Sequence, residues 1–237
     1  MAPPLQVLYA DNHLLAVLKP AGLPAVPDGS GDPSLLDLAR EWVREDKQKT
    51  GRVFLGVVHR LDRPVSGAVV FARTSKAARR LAAAWKEEVR KIYHGVLEDP
   101  LPPGADEEGE IRQGLRKDRA RNRVLVCGAG AGREGAKEAV TRFRLAEPGG
   151  DRRLVVLEAV TGRPHQLRVA CATRLRPLAG DLKYGARRAL PDRSLALHAA
   201  LLELPHPVQD RVLRLGAPHP RGGIWAGWRR IGDNGGR

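Results

Sequence analysis

The sequence has few of the residues that build disulfide frameworks, metal clusters and membrane spans. Cys127 and Cys171 are the only cysteines, and neither belongs to a Cys-x-x-Cys pair. The sequence therefore predicts neither a disulfide framework nor a zinc site, and we expect both cysteines to be buried apolar residues. No apolar stretch approaches the roughly 18 residues of a membrane span, and the N-terminus lacks a basic region followed by a long apolar one. We expect a reducing, cytoplasmic location, with no membrane and no metal.

Aromatic residues are also scarce, at 4% of the chain, which disfavours binding to rows of stacked bases. Positive charge is abundant, because Lys and Arg number 41 against 27 for Asp and Glu, a formal net charge of +14. Such an excess favours a polyanionic partner, and nucleic acid is the obvious candidate. The alternative is a surface tuned for solubility, since net charge says nothing of fold.

The positive charge is concentrated in two segments. Residues 112–123 contain six basic residues against Asp118, and residues 73–91 contain seven against Glu87 and Glu88. Stripes of this kind can follow a phosphate backbone and give a salt-dependent affinity. Either stripe is equally compatible with a solvated face.

The pattern of apolar residues predicts an α+β chain. At 237 residues it can bury roughly 70 to 75 per cent of its unfolded surface, enough for one large domain. Helices are predicted from Ser34 and from Ser75, the second through an alanine-rich run to about Arg90. Strands are predicted at Leu14 to Leu18, Phe54 to Val58, Ala68 to Phe71, Ile92 to Leu97, Val124 to Cys127, Ala139 to Leu145, Leu154 to Val160, Leu195 to Leu204 and Arg211 to Leu215. Successive strands without helices between them favour a mixed, largely antiparallel sheet.

A glycine run at Gly130 to Gly135 fits the G-x-G-x-x-G phosphate-binding pattern and follows a predicted strand. That pattern requires a helix next, whose N-terminus binds pyrophosphate. Residues 139–145 alternate between apolar and polar side chains instead, which predicts a strand. We interpret the glycines as a hairpin loop, and a nucleotide-dependent oxidoreductase would depend on this run alone.

The segment His59 to Gly67 places an acidic residue, Asp62, among cations and turn-forming residues. Apolar runs on both sides predict strands, so Asp62 lies on the loop between them, and Pro64 disfavours a helix there. Arg60 and Arg63 favour the ionised carboxylate, which can act as a nucleophile or a base. An Asp between two arginines can equally form a surface ion pair.

The order of motifs resembles that of the RluA-type RNA pseudouridine synthases, which isomerise uridine in structured RNA. The resemblance runs from about residue 7 to about residue 207. The motifs are Asp11-Asn12-His13, Lys19-Pro20-Ala21-Gly22-Leu23, His59 to Gly67, Lys91-Ile92-Tyr93, Lys137 to Thr141, Thr161 to Arg168, Gly180-Asp181, Tyr184-Gly185, Leu197-His198-Ala199 and His206-Pro207. Some relatives carry a small RNA-binding domain first. We expect this chain to start directly in the catalytic domain, residues 1–215, followed by a C-terminal extension of unclear role, residues 216–237.

The resemblance implies a set of functional residues. Asp62 matches the catalytic aspartate, Arg168 the arginine that pairs with it through its planar fork, and Tyr93 the tyrosine that packs on the uracil. The implied substrate-binding residues are His59, Arg60, Arg163, His165, Gln166 and Leu197. The isomerisation involves no redox change and no group donor, so we expect no cofactor and no metal. The implied fold is a pseudouridine synthase fold, a mixed sheet in two subdomains with a basic cleft.

The chain also departs from the family pattern. Val65 stands where the family usually has Thr, and Ala170 and Leu175 stand where a polar residue and a Gly are expected. These positions lie outside the implied catalytic set, so they bear on substrate fit. The expected partner is ribosomal or transfer RNA, bound by a monomer. The alternative is a non-catalytic RNA-binding or RNA-folding protein on the same scaffold.

Overall fold

The computed structural model describes residues 4–46, 48, 51–128, 135–146 and 152–228, which form two compact units. The first unit comprises residues 4–89 and 199–220, and the second comprises residues 90–198 and 221–228. The strands are β1 (Gln6–Ala10), β2 (Leu14–Lys19), β3 (Gly56–Val57), β4 (Ser66–Ala72), β5 (Arg90–Val96), β6 (Glu108–Asp118), β7 (Arg123–Val126), β8 (Lys137–Leu145), β9 (Leu154–Ala159), β10 (Leu197–Pro205) and β11 (Val212–Gly216). The helices are α1 (Leu35–Asp46), α2 (Ser75–Ala84) and α3 (Gln166–Arg174), with short 3-10 helices at Leu182–Tyr184 and Gly223–Trp228.

The sheet of the first unit has the order β1-β2-β4-β10-β11, and the short β3 pairs with β4. Every residue of β4 is buried, because the sheet is covered where α2 packs on it. The core there includes Leu14, Val70, Leu81, Leu202 and Leu215. The predicted strand at Phe54 to Val58 is formed only at Gly56–Val57.

Both predicted helices are present, with one error of length. Ser34 and Asp37 form a reciprocal cap at the start of α1, in which the Ser34 hydroxyl donates to the Asp37 carboxylate at 2.7 Å. Thr74 caps α2 by accepting the Ala77 N–H at 3.1 Å. The prediction that α2 reaches Arg90 is wrong. The N–H groups of residues 87 and 88 return to the Ala84 carbonyl and close a turn, and β5 begins at Arg90.

The sheet of the second unit has the order β5-β9-β8-β6-β7, and these pairs are all antiparallel. Helix α3 covers one face, where Val169 packs with Leu115, Val124 and Ala139. The predicted α+β class with a largely antiparallel sheet is confirmed. Strand β6 was not predicted, because its exposed positions carry charged side chains and few of its residues are apolar.

The described end of the chain belongs to the core of the second unit. Trp225 and Trp228 are buried against Val96, Leu154 and Ala196. The part of the predicted C-terminal extension up to residue 228 therefore has a packing role, and residues 229–237 lie outside the described residues.

Two smaller expectations have different outcomes. Cys171 is buried, as expected, but Cys127 is only partly buried, because it follows the exposed edge strand β7. The glycine run lies outside the described residues except for Gly135, and the segment after it is the predicted strand β8. No helix among the described residues is long and apolar enough to cross a membrane.

Candidate active site

The loop that carries Asp62 is anchored by the buried side chain of Lys19. Lys19 is fully buried, and its ammonium donates to the main-chain carbonyls of Pro20, Leu23 and Arg63 at 2.9, 2.6 and 3.0 Å. Burial lowers the pKa of Lys19 to about 7, and the negative charge of Asp62 opposes this shift. Three carbonyl acceptors match the three N–H groups of the charged ammonium. Lys19 thus connects the Lys-Pro turn to the Asp62 loop.

A second connection runs between Gly22 and Arg63. The Gly22 N–H donates to the Arg63 carbonyl at 2.8 Å, and Arg63 Nε donates to the Gly22 carbonyl at 2.9 Å. The Arg63 guanidinium also forms an ion pair with Asp32 and lies 3.6 Å from Asp28. The charge of Arg63, which the sequence predicted to favour the ionised Asp62 carboxylate, is therefore shared with Asp28 and Asp32.

Asp62 itself is half-buried at the start of a tight turn. Its carbonyl accepts the Val65 N–H at 3.0 Å, which closes the turn over Arg63 and Pro64. Arg60, two residues earlier, is exposed. The turn fixes the backbone that carries the carboxylate, and Lys19 fixes the turn.

His59 holds the start of the same loop. Its Nε2 accepts the Val70 N–H at 3.0 Å, and its ring stacks on Trp85 with centroids 4.3 Å apart. Because Nε2 accepts a hydrogen bond, the ring proton lies on Nδ1. This arrangement gives His59 a role in holding the loop, and its contact with substrate stays a prediction.

Arg168 is held in the second unit by a buried carboxylate and an aromatic ring. Its Nε and Nη2 donate to Asp181 at 2.7 and 2.6 Å, and both side chains are buried. The guanidinium carbon lies 5.1 Å from the centre of the Tyr184 ring. The carboxylate contacts the edge of the guanidinium and the tyrosine contacts its face, so together they fix its orientation. The pairing of Arg168 with Asp62 stays a prediction.

Tyr184 connects Arg168 to two further segments of the second unit. Its hydroxyl accepts the Val124 N–H at 2.9 Å and lies 2.6 Å from His165 Nδ1, to which it can donate. Burial raises the pKa of Tyr184, so the hydroxyl keeps its proton at neutral pH. His165 precedes α3 with a left-handed backbone (φ 50°). Its side chain contacts the Tyr184 hydroxyl and does not cap the helix.

Gln166 and Arg163 hold the Thr161 to Arg168 motif against β8. The buried Gln166 amide donates to the Val140 carbonyl at 2.9 Å and to Thr141 at 3.0 Å. Its oxygen accepts from the Thr161 hydroxyl and from the Arg163 N–H. Arg163 Nε donates to the Glu138 carbonyl at 2.9 Å. The four hydrogen bonds of the Gln166 amide are all made within this unit.

The other two residues implied by the resemblance belong to the second unit. Tyr93 is half-buried in β5, opposite Leu157 of β9. Leu197 is the first residue of β10 and is buried. Their roles toward a substrate stay predictions.

Sequence reasoning placed Lys19, Asp181 and Tyr184 in motifs but gave none of them a role. All three act through partners in other segments of the chain: Lys19 binds the Arg63 carbonyl, Asp181 binds Arg168, and Tyr184 accepts the Val124 N–H. In the described part of the chain, His, Cys, Asp and Glu side chains form no group of three or more that could hold a metal ion.

The fold built from these two units is that of a pseudouridine synthase domain. A solved human structure, RNA pseudouridylate synthase domain containing 1, matches it with a TM-score of 0.71 and 26% identity, over 93% of this chain and 87% of that one. The model of the RNA pseudouridylate synthase family matches residues 13–173.

Curated proteins extend the match. Ribosomal large subunit pseudouridine synthase D of Xylella fastidiosa is 35% identical over 231 residues, which cover 92% of this chain and 66% of that protein. The dual-specificity RNA pseudouridine synthase RluA of Haemophilus influenzae is 34% identical over 224 residues, 92% of this chain and 94% of that protein. The chain therefore belongs to the RluA-type family of RNA pseudouridine synthases, as its motifs indicated. It spans about two thirds of the length of the Xylella protein.

Proposed function

We propose that this protein isomerises specific uridines of structured RNA, ribosomal or transfer, to pseudouridine, with Asp62 as the catalytic residue. The observation that carries the proposal is the Asp62 loop, in which a half-buried carboxylate is placed by a turn anchored on the buried Lys19. Family membership supports the reaction, and the names of the relatives support RNA as the substrate. We place the reaction in the cytoplasm, carried out by a monomer without cofactor or metal.

The chemistry needs a carboxylate more than any other group. The bond between ribose and the base nitrogen breaks, the base turns, and a bond to carbon forms, with no net oxidation. Asp62 either attacks the sugar or removes a proton from it. The target base must leave its stack at a cost of a few kcal/mol, so contacts with the displaced nucleotide are required.

Arg168 and Tyr93 complete the proposed catalytic set by resemblance to the family. Arg168 suits the role because Asp181 and Tyr184 fix the orientation of its guanidinium. Arg60 is the substrate-binding residue that exposure favours, since an arginine can stack on a base and reach phosphate together. His59, Arg163, His165, Gln166 and Leu197 are proposed to shape the base pocket.

The test is to incubate the protein with unmodified ribosomal and transfer RNA transcripts and to map pseudouridine by carbodiimide treatment and primer extension. We expect modified sites with the wild-type protein and none with Asp62→Asn, which keeps the size of the side chain but removes its charge. Asp28→Asn changes another carboxylate near the same loop and should keep the modification pattern. An unchanged pattern in Asp62→Asn refutes Asp62 as the catalyst.

The alternative, a non-catalytic RNA-binding protein, makes a different prediction for the same samples. It predicts salt-sensitive RNA binding by the wild-type protein with no modified site in any transcript. The anchored Asp62 loop argues against it, because a binding surface has no use for a carboxylate held among cations.

A further inference from the structure

Among the residues that the structure describes, the cations of the first unit fall into two groups. Most of them bind an acid, a main-chain carbonyl or a hydroxyl: Lys19, Arg40, Arg44, Arg63, Arg73, Arg80, Arg211 and Arg214. The others are Arg52, Arg60, Lys76, Arg79 and Lys86. All of these are exposed, and no residue that the structure describes pairs with any of them.

Three of these cations lie on or directly after α2, and Arg52 lies in the segment that leads into the strand packed on α2. Lys76 and Arg79 lie one turn apart on α2, and Lys86 lies in the turn that follows it. Arg52 precedes β3, which packs so closely on α2 that a Cβ on Gly56 would lie 2.7 Å from the Cβ of Ala78. We call Arg52, Lys76, Arg79 and Lys86 the α2 surface.

Two neighbours of the α2 surface bear on its use. Phe54 is 53% exposed beside it, and its ring lies 3.4 Å from the Cβ position of Gly56. The stack of His59 on Trp85 joins the turn after α2 to the start of the Asp62 loop. Two acids, Glu87 and Glu88, follow Lys86 directly in sequence.

The basic stripe at residues 112–123, in the second unit, differs only in part. Arg112 lies 2.7 Å from Glu110 and 3.4 Å from Glu138, Arg121 lies 3.7 Å from Asp118, and Arg123 donates to the Lys183 carbonyl. Arg116, Lys117 and Arg119 are exposed, and no residue that the structure describes pairs with them. What distinguishes the α2 surface is that it belongs to the unit that carries Asp62, and a phosphate bound there would displace only water and counterions.

We propose that the α2 surface binds the phosphate backbone of the RNA that carries the target uridine, at nucleotides outside the one that reacts. The inference depends on the proposed function for the identity of the RNA. Each cation that neutralises a phosphate releases counterions, so the four residues supply affinity and orientation without reading sequence. Phe54 can stack on an unpaired base beside them.

The test compares two variants that lose the same charge. One carries Arg52→Gln, Lys76→Gln, Arg79→Gln and Lys86→Gln. The control carries Arg40→Gln, Arg44→Gln, Arg112→Gln and Arg214→Gln, which are exposed cations already paired with acids. Kd for an unmodified tRNA transcript and for an rRNA stem-loop transcript is measured at several salt concentrations. Because net charge falls equally in both variants, a difference between them reports the α2 surface alone.

We expect the α2 variant to bind at least about tenfold more weakly and to lose about 3 from the slope of log K against log salt, at 0.7 to 0.9 per phosphate. The control should keep a slope close to that of the wild type. Equal losses in the two variants, or none in the α2 variant, overturn the proposal. The proposal is also overturned if the α2 variant binds RNA as tightly as the wild type but no longer binds anionic lipid vesicles.

Failure of this inference differs from failure of the proposed function. If the wild-type protein modifies no transcript but the α2 variant alone loses RNA affinity, the surface stands and the enzymatic proposal falls. If the α2 variant modifies RNA with the KM and salt dependence of the wild type, the surface falls and the enzymatic proposal stands.

Discussion

At the scale of single residues, two buried charged side chains hold predicted site residues in place, Lys19 in the first unit and Arg168 in the second. Lys19 gives its three N–H groups to main-chain carbonyls, and Arg168 gives two of its own to Asp181. Buried charges are costly unless paired or hydrogen-bonded, so both arrangements fix geometry as well as satisfying charge. Each can be tested by its contribution to stability.

Lys19 should make stability depend on pH. Burial lowers the pKa of Lys19 to about 7 in the folded chain, against an ordinary value of 10.5. Between these values the unfolded chain holds a proton that the folded chain has released, so the contribution of this group to stability rises with pH, by at most about 1.4 kcal/mol per unit. Below about pH 7 both states are protonated and its contribution is constant.

Urea unfolding of the wild type and of Lys19→Met, at pH values from about 6 to 9, measures this effect. The free energy of unfolding of the wild type, minus that of the variant, should be flat below about pH 7 and increase above it. A difference that stays constant across the whole range, or one that decreases, contradicts the assignment.

Asp181→Asn should destabilise the second unit strongly. The substitution removes the buried carboxylate charge that Arg168 binds through two hydrogen bonds, and breaking a buried pair costs about 3 to 5 kcal/mol of unfolding free energy. Glu41→Gln removes the acid of an exposed pair with Arg44 and should remain close to the wild type. Similar unfolding midpoints in urea for the two variants would show that the Asp181 pair contributes no more than a surface one.

At the scale of the elements, β4 is the strand that follows the Asp62 loop, and it admits no side chain at its second residue. Gly67 has a φ of +124°, and a Cβ there would lie 2.4 Å from the main chain of Ala199 in β10. The glycine lets two strands approach closely directly after the Asp62 loop. This explains in physical terms why the motif ends in Ser-Gly.

Gly67→Ala should therefore cost more than a positive φ alone explains. Gly22 offers a matched control, since its φ is +85° but no atom lies within 4 Å of its Cβ position. We expect Gly22→Ala to lower the free energy of unfolding by about 1 to 2 kcal/mol, the cost of the left-handed backbone. Gly67→Ala should lose a further 1 to 3 kcal/mol or so from overpacking. Equal losses in thermal or urea unfolding would argue against the close approach.

The elements also show what sequence patterns could and could not predict. Strands β2, β8 and β10 were predicted because their buried residues recur along an apolar pattern. Strand β6 was missed because ion pairs with neighbouring strands, as between Arg112 and Glu138, allow charge on its exposed face. The end of α2 was misplaced because alanine-rich sequence favours helix until backbone contacts close the turn at Ala84.

At the scale of the whole molecule, the net charge of +14 is not spread evenly over the described residues. Acids pair with Arg112 and Arg142, whereas the cations of the α2 surface, like Arg116, Lys117 and Arg119, pair with no described residue. Composition alone predicted a polyanionic partner but not which of the two basic stripes would bind it. That distinction depends on which acids the fold places beside each arginine, and sequence distance does not reveal it.

The sequence predicted some residues of the candidate site but not the contacts that support them. The motifs identified the family and named Asp62, Arg168 and Tyr93. They did not show that Asp181 holds Arg168 from 13 residues away or that Lys19 reaches the carbonyl of Arg63 across 44 residues. Residue types that carry chemistry can be recognised in a sequence, whereas their supporting contacts arise only on folding.

The acceptors around Lys19 have one more consequence. They are main-chain oxygens, which any amino acid at positions 20, 23 and 63 would supply. The side chains of Leu23 and Arg63 can therefore be replaced without loss of these hydrogen bonds, whereas Lys19 cannot. The residues on either side of Asp62 can therefore differ between proteins that bind different RNAs while the Asp62 carboxylate keeps its position.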